Sequence, residues 1–271
     1  MRPYASAVGV STELREFAEE PERYVEQRAG SSVEKSDDGR RCIIRDRTWA
    51  TITGIRVDID DIDDLIGEVE WTLSPECEAL WHIGPSSTPV NLCNELERRG
   101  LGPPAHRPRE VRALALDKEP EAQPAADVRR LESFEQFVAA RELGWESFGT
   151  PEERRAIERP QLRQGFEEMK QTGIFATFLA YVDERLAGSA IAVPSKRGVL
   201  LGGGSVAPWA RGRGLYRAMV HARWEYAKEL MLPGLVTHAN LNTSLPILLR
   251  LGFEEVGTVH RLQRRVVPDG A

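Results

Sequence analysis

Apolar and polar positions recur along this chain with two periods, and each change of period marks an element. Residues 11–28, STELREFAEEPERYVEQR, place apolar side chains at helical spacing behind a Ser/Thr start, which predicts a helix that Pro21 must interrupt. Short apolar runs bounded by charge follow in RCIIRD and WATITGIRV and read as strands. DIDDIDDLIGEVEW then predicts an acidic helix and EALWHI a strand. STPVNLCNELERRGL, with a proline in its first turn and a terminal glycine, predicts a helix, and EVRALAL a closing strand.

The second half opens with a strand in DVRRLES, a helix in SFEQFVAARELGW, and a helix in TPEERRAIERPQLRQGFEEMKQ that Pro160 should break. IFATFLAYVDERLAGSAIAVP is two apolar runs around Asp183-Glu184-Arg185, a hairpin pattern. GVLLGGGSVAP is a further strand. A helix from Gly214 to about Leu230, a strand GLVTHA, a helix SLPILLRLGF and a strand EEVGTVHRLQRRVV complete the order β-α-α-β-β-β-α-β-α-β. That order predicts an α/β (α+β) fold, a mixed sheet flanked by helices.

Two units are expected from 271 residues. The Pro- and charge-rich stretch between Asp117 and Asp127 lacks periodicity and reads as a linker, which sets the units at 1–116 and 127–271, joined by 117–126. EALWHIGPSSTPVNLCNELERRGL and GLVTHANLNTSLPILLRLGF share one outline: strand, polar loop, early-helix proline, helically spaced leucines, then a basic residue and glycine. This points to duplication. A formal net charge of −6 opposes any general attraction to nucleic acid or anionic membrane, so a phosphate ligand must be served locally. No apolar run has signal-peptide or membrane-spanning length. Cys42, Cys77 and Cys93 lack any metal-ligand spacing, and the expected location is the cytoplasm, with reduced thiols.

VAPWARGRGLYRAMVHARW, Val206–Trp224, concentrates arginine and glycine where a strand meets a helix. The first amides of a helix lack partners and carry the positive end of the peptide dipoles. Gly212 and Gly214 open an approach to them, and Arg211 and Arg213 add charge, a combination suited to a diphosphate. A glycine-rich connection with surface arginines is the ordinary alternative for RGxG taken alone. No GK[ST] follows, and Arg217 stands at the last glycine position of GxGxxG, so neither the P-loop nor the dinucleotide fingerprint is matched.

VAPWARGRGLYRAMV resembles motif A of the GNAT superfamily of N-acetyltransferases, R/Q-x-x-G-x-G/A, with Arg211, Gly214 and Tyr216 at the motif positions; Tyr216 departs from the usual small residue. NTSLPILLRLGFEEVG resembles the later half of that family, and the resemblance spans about 127–266. It implies a tandem GNAT-like architecture in which the second half binds acetyl-CoA on Arg211, Gly212, Arg213, Gly214, Leu215 and Tyr216, with Asn242 as a further contact. The Val206 N–H would polarise the thioester carbonyl, a primary amine would attack directly, and no metal would be needed. The tyrosine that often protonates the departing thiolate is replaced by Leu248, which leaves Ser244 as the nearest substitute, against its ordinary reading as a helix cap. His238 is the candidate base, against a packed strand histidine.

Trp145, Phe148 and Trp209 are candidates to stack on the acceptor, a small-molecule or peptide amine, or to pack as a lid. In the first half the matching helix start carries Asp58, Asp60, Asp61, Asp63 and Asp64, so a diphosphate would meet like charge, and that half should not bind CoA. An EF-hand fails there, because Asp63 occupies the glycine position and Val69 the final glutamate. A CoA-binding protein without catalysis and an O-acyltransferase are the competing readings.

Overall fold

The computed structural model describes residues 9–26, 32–36, 40–45, 49–73, 77–120 and 126–264. The first half forms α1 (Thr12–Glu19), β1 (Ser32–Lys35), β2 (Cys42–Arg45), β3 (Trp49–Thr53), α2 (Ile62–Thr72), β4 (Glu78–Ile83), α3 (Leu92–Arg98), β5 (Leu101–Gly102) and β6 (Glu110–Leu116). The second half forms β7 (Asp127–Arg130), α4 (Phe134–Ser147), α5 (Glu152–Glu158), α6 (Leu162–Thr172), β8 (Ala176–Val182), β9 (Arg185–Ser195), β10 (Gly198–Val206), α7 (Leu215–Glu229), β11 (Leu235–Asn240), α8 (Leu245–Arg250) and β12 (Glu254–Arg264).

Local chemistry accounts for most boundaries. Ser133 and Gln136 close a capping box at the start of α4, satisfying two donors that the helix leaves free. Asp183 and Glu184 both take positive φ, 49° and 58°, which joins β8 to β9 by a tight turn matched to strand twist. Pro160 sits in a short 3₁₀ turn between α5 and α6, the expected break. The expected helix over 11–28 stops at Glu19, before Pro21, and its last residues, 27 and 28, lie outside the described residues. One expectation needs correction, and two strands, β1 and β5, were not read from the sequence. The helix expected to begin near Thr88 starts at Leu92, because Thr88 exchanges strand-type bonds with Ile55 and Val57 instead. β1 was not foreseen; its sequence, SVEK, carries one apolar residue, too little to signal a strand.

All described strands belong to one sheet, ordered β1-β2-β3-β4-β12-β6-β11-β10-β9-β8-β7, with β5 beside β12. Each half contributes one parallel pair, β3 with β4 across α2 and β10 with β11 across α7. The closing strands are exchanged between halves. β6 pairs with β11 along six residues, Val111–Leu116 against Leu235–Asn240. β12 pairs with β4, and β6 and β12 pair with each other at the centre. The cores are shared in the same way: Leu114 and Leu116 pack with α7 and α8, and Leu262 packs with the first-half residues Ile52, Leu65 and Trp81. The linker residues 121–125 lie outside the described residues. No described helix is long and apolar enough to cross a membrane.

Helix α1 packs on β6, β11, β12 and β10, where Leu14, Phe17 and Ala18 meet Val111, Ala113, Val236 and Val259. It therefore lies over the opposite face of the central strands from α7 and α8.

Candidate functional site

β10 and β11 are paired only at Val199–Leu235 and Leu200–Val236, although β10 runs on to Val206. Above those pairs the Thr237 hydroxyl donates to the Leu201 carbonyl (3.1 Å), bridging a gap that backbone no longer spans. A register shift between Gly202 and Ser205 on the β9 side bends β10 at its run of three glycines, as a bulge does. The two strands splay from that point. Ala207 N–H donates to Ala187 on β9 (2.8 Å), so strand alternation turns the Val206 N–H to the opposite edge, toward β11.

The strand leads through a 3₁₀ turn, Pro208–Ala210, into the α7 start. Gly212 and Gly214 hold φ of 79° and 78°, the left-handed region where a β-carbon is disfavoured, and a β-carbon on Gly212 would face open space. No side chain caps α7, and the first bond into the helix is donated by Ala218 to Gly214, so the preceding amides are available to a ligand. Arg211, Gly212 and Arg213 are exposed, and Arg211 Nε lies 3.4 Å from the Val206 carbonyl. Leu215 is buried, which leaves its backbone as the part able to reach a ligand. Tyr216, the motif departure, is accommodated by Gly204: a β-carbon there would sit 2.9 Å from the tyrosine ring.

Other candidates fall elsewhere. Asn242 is exposed, and its amide donates to the Asn240 side chain (2.9 Å) in a local turn. Ser244 makes no helix cap; its hydroxyl accepts from the Asn240 amide (3.0 Å) at the end of β11. Leu248 is fully buried. Trp145 is buried with its indole N–H on Glu158 (2.9 Å), whereas Phe148 is exposed. Trp209 walls a cavity of about 340 Å³ beside the turn, with the Arg185 guanidinium 4.2 Å from its ring centroid.

His238 points to the α1 face, away from α7. Nε2 lies 3.0 Å from the Ala18 carbonyl, which requires that nitrogen to carry the proton, and Nδ1 accepts from Arg261 Nη2 at 3.3 Å. Both ring nitrogens are thus engaged by α1 and β12. Glu22 and His82 complete the cluster, and one ligand-type atom each of Glu22, His82 and His238 lies within 4.8 Å of the others. The Arg261 charge already stands against Nδ1, which disfavours a metal cation there. Burial, with the nearby Arg261 charge, pushes the His238 pKa down to about 4, outweighing the Glu22 carboxylate. Glu22 is held far below the ordinary carboxylate range, since His82 and His238 outweigh its burial.

Folded His238 thus resists a proton that the unfolded chain accepts near pH 6.5, so its contribution to stability is present above 6.5 and lost as pH falls toward 4. Glu22 adds a further loss below its ordinary pKa of 4.5. The His238 contribution is at most about 3 kcal/mol, since each pKa unit is worth about 1.4 kcal/mol. Thermal melts of the wild type should decline from pH 7 to 5 more steeply than those of His238→Gln; equal slopes would show that this histidine does not titrate with unfolding.

In the first half the corresponding strands stay joined. β3 and β4 pair from Trp49–Glu78 to Ile52–Trp81, and beyond them Thr88 N–H donates to Ile55 (3.0 Å) and Val57 N–H to Thr88 (3.3 Å). Asp61 and Asp63 at the helix start pair with Arg40 and Arg99. The open strip of strand edge found between β10 and β11 has no counterpart there.

Sequence reasoning missed the part α1 plays in covering His238, the Thr237 bridge, and the burial of Arg223. The last had a signal: Arg223 lies seven residues after Tyr216, on the helix face that also carries buried Met219 and Ala227.

No protein-family model matches the sequence, and no curated protein matches it. Solved structures do. A GCN5-related N-acetyltransferase from Kribbella flavida superposes with a TM-score of 0.63 at 14% identity, covering 97% of this chain and 98% of that one. A tandem GNAT protein from the clavulanic acid biosynthesis pathway gives 0.59 at 16% identity, covering 92% and 86%. A functionally unknown conserved protein from Staphylococcus epidermidis gives 0.58 at 12% identity, covering 87% and 95%. At these identities the likeness establishes the fold: the chain has the GNAT fold, as a mixed sheet flanked by helices.

Proposed function

We propose that this protein is an acetyl-CoA-dependent N-acetyltransferase whose second half, 127–271, carries the site and whose first half, 1–116, is a degenerate GNAT-like partner joined through 117–126. The observation that carries this reading is the splay of β10 from β11 above Leu200–Val236, ending at an uncapped helix start with two left-handed glycines. The diphosphate sits on the amides of Gly212–Tyr216, with Arg211 and Arg213 supplying charge. The pantetheine arm takes the strand edge that β11 leaves open. The Val206 N–H, turned to that edge, serves the carbonyl oxygen as charge develops on it. The fold of the first half closes the equivalent strip, which supports one CoA per chain.

The acceptor amine attacks the thioester carbon directly. His238 has no lone pair free toward the cleft, so the amine loses its proton to water or arrives neutral. No metal enters this scheme. Asn242, exposed on the loop after β11, remains within the proposed cofactor contacts. The acceptor is a small-molecule or peptide amine, and nucleic acid and membrane are not proposed as partners.

Calorimetric titration with CoA tests the cofactor, and thiol release from acetyl-CoA over a panel of amines tests transfer. Micromolar CoA binding and amine-dependent thiol release are expected; no CoA binding would remove the proposal. Buried Leu248, which supplies no proton, favours a second reading as a CoA-binding protein without catalysis. Tight CoA binding with no release for any amine would support it, and an ester in the product mass spectrum would identify O-acyl transfer.

A further inference from the structure

Arg223 is 1% exposed and makes no ion pair with a carboxylate among the described residues. Burial lowers its pKa to about 10, opposed by the nearby Tyr216 hydroxyl, so the guanidinium keeps its charge at neutral pH. A buried cation without a counter-charge is costly and calls for a local reason. Nε donates to the Met219 carbonyl one turn earlier on α7 (2.9 Å), and Nη1 reaches across to β9 and donates to the Ile191 carbonyl (3.2 Å). Because the guanidinium is planar and its donors form a fixed fork, these two bonds tie helix to sheet at a set spacing.

The sheet end of this tie is the edge of the β10 bulge. Ile191 is the register partner of Gly202, and the next pair is Ser189 with Ser205, so β10 takes three steps where β9 takes two. Gly203 holds φ 56°, and a β-carbon on it would stand 3.3 Å from Ile191 Cδ1. Ile191 thus meets the bulge with its side chain and Arg223 with its carbonyl. A bulge interrupts the ladder and bends its strand, and three consecutive glycines leave the backbone free to take other paths. The first half supplies the comparison. There β2 and β3 pair from Cys42–Thr53 to Arg45–Ala50 without a shift, α2 buries only Ile62, Leu65 and Val69, and β3 and β4 stay joined. Bulge, open strip and buried arginine occur together in one half and are together absent from the described residues of the other.

We propose that Arg223 is a positioning residue: its bond to the Ile191 carbonyl pins the bulge, which keeps β10 bent away from β11 and leaves its edge, with the Val206 N–H, open to the pantetheine arm; this rests on the CoA reading above. Arg223 itself touches neither CoA nor acceptor. The diphosphate seat at Gly212–Tyr216 is backbone at the start of α7, about two turns from Arg223, so it does not depend on the tie. Loss of the arginine should therefore damage the strip and spare the seat.

The test compares ADP, which carries the diphosphate without the pantetheine arm, with CoA by calorimetry on the full chain. In Arg223→Met, ADP affinity should stay within about twofold of the wild type while CoA affinity falls at least about tenfold, through hydrogen bonds lost along the arm. The Val206 amide resonance of the ligand-free chain should move, and kcat with an amine should fall about 100-fold, as misplaced reacting groups require. Arg223→Lys, which keeps the charge and a donor for Ile191, should recover most of the CoA affinity and return the resonance toward its wild-type position. Gly203→Ala strikes the same bulge from the strand, and its loss of CoA affinity should not add to that of Arg223→Met. A wild-type ratio of CoA to ADP affinity with an unmoved Val206 amide in Arg223→Met overturns the assignment alone, whatever the melting temperature. If Arg223→Met does not fold, Arg223→Gln is read by the same ratio and resonance. Failure of the wild type to bind CoA overturns the assignment together with the reading beneath it.

Discussion

Gly214→Glu is expected to weaken CoA binding by at least about 100-fold in calorimetry while the chain remains folded. Gly214 is the N-cap of α7 at φ 78°, so the new carboxylate is introduced at the helix start proposed to hold the diphosphate. A carboxylate about 5 Å from a phosphate charge, at an effective dielectric near 20, costs about 3 kcal/mol, which is more than a hundredfold in affinity. Strain at positive φ adds about 1 kcal/mol to the folded state, enough to lower the melting temperature by a few degrees. Gly214→Ala separates the two contributions, since it carries the strain without the charge and should bind CoA within about tenfold of wild type. Equal affinities for wild type and Gly214→Glu would place the ligand elsewhere.

A chain cut to 127–271 should fail to fold, although it contains every residue proposed to bind CoA. The cut removes β6, and with it the ladder to all six residues of β11 and the wholly buried Leu114 and Leu116. Each buried leucine contributes about 1.5–3 kcal/mol. Together with the lost ladder and the unpaired edges of β11 and β12, this rivals the roughly 5–15 kcal/mol that holds a domain folded. Circular dichroism and gel filtration should report an unfolded or aggregated fragment, whereas 1–271 nicked between 117 and 126 after folding should stay associated through β6 and β12. A compact, soluble 127–271 with a cooperative melt would show that the exchanged strand is dispensable.

Both expectations depend on features that the sequence displayed unequally. The turn proposed to hold phosphate was legible as a local pattern: two glycines, two arginines and a helix start lie within six consecutive residues. The hairpin at Asp183-Glu184 and the break at Pro160 were legible for the same reason. Ser244 was read from its neighbours as a helix cap or acid, and the fold gives its oxygen to the Asn240 amide. His238 looked suited to base chemistry, yet its partners come from residues 220 positions earlier and 23 later.

By itself the sequence determined the order of most elements, with β1 and β5 missed, and the glycine- and arginine-rich turn before α7, because periodicity and backbone stereochemistry act over a few residues. Tertiary structure alone decided that β6 and β12 trade places, that α1 seals His238, and that Gly204 makes room for Tyr216. The first two outcomes depend on surfaces that meet across more than a hundred residues and the third on how α7 folds back over β10, and in each hydrogen-bond pairing and burial decide what local patterns leave open.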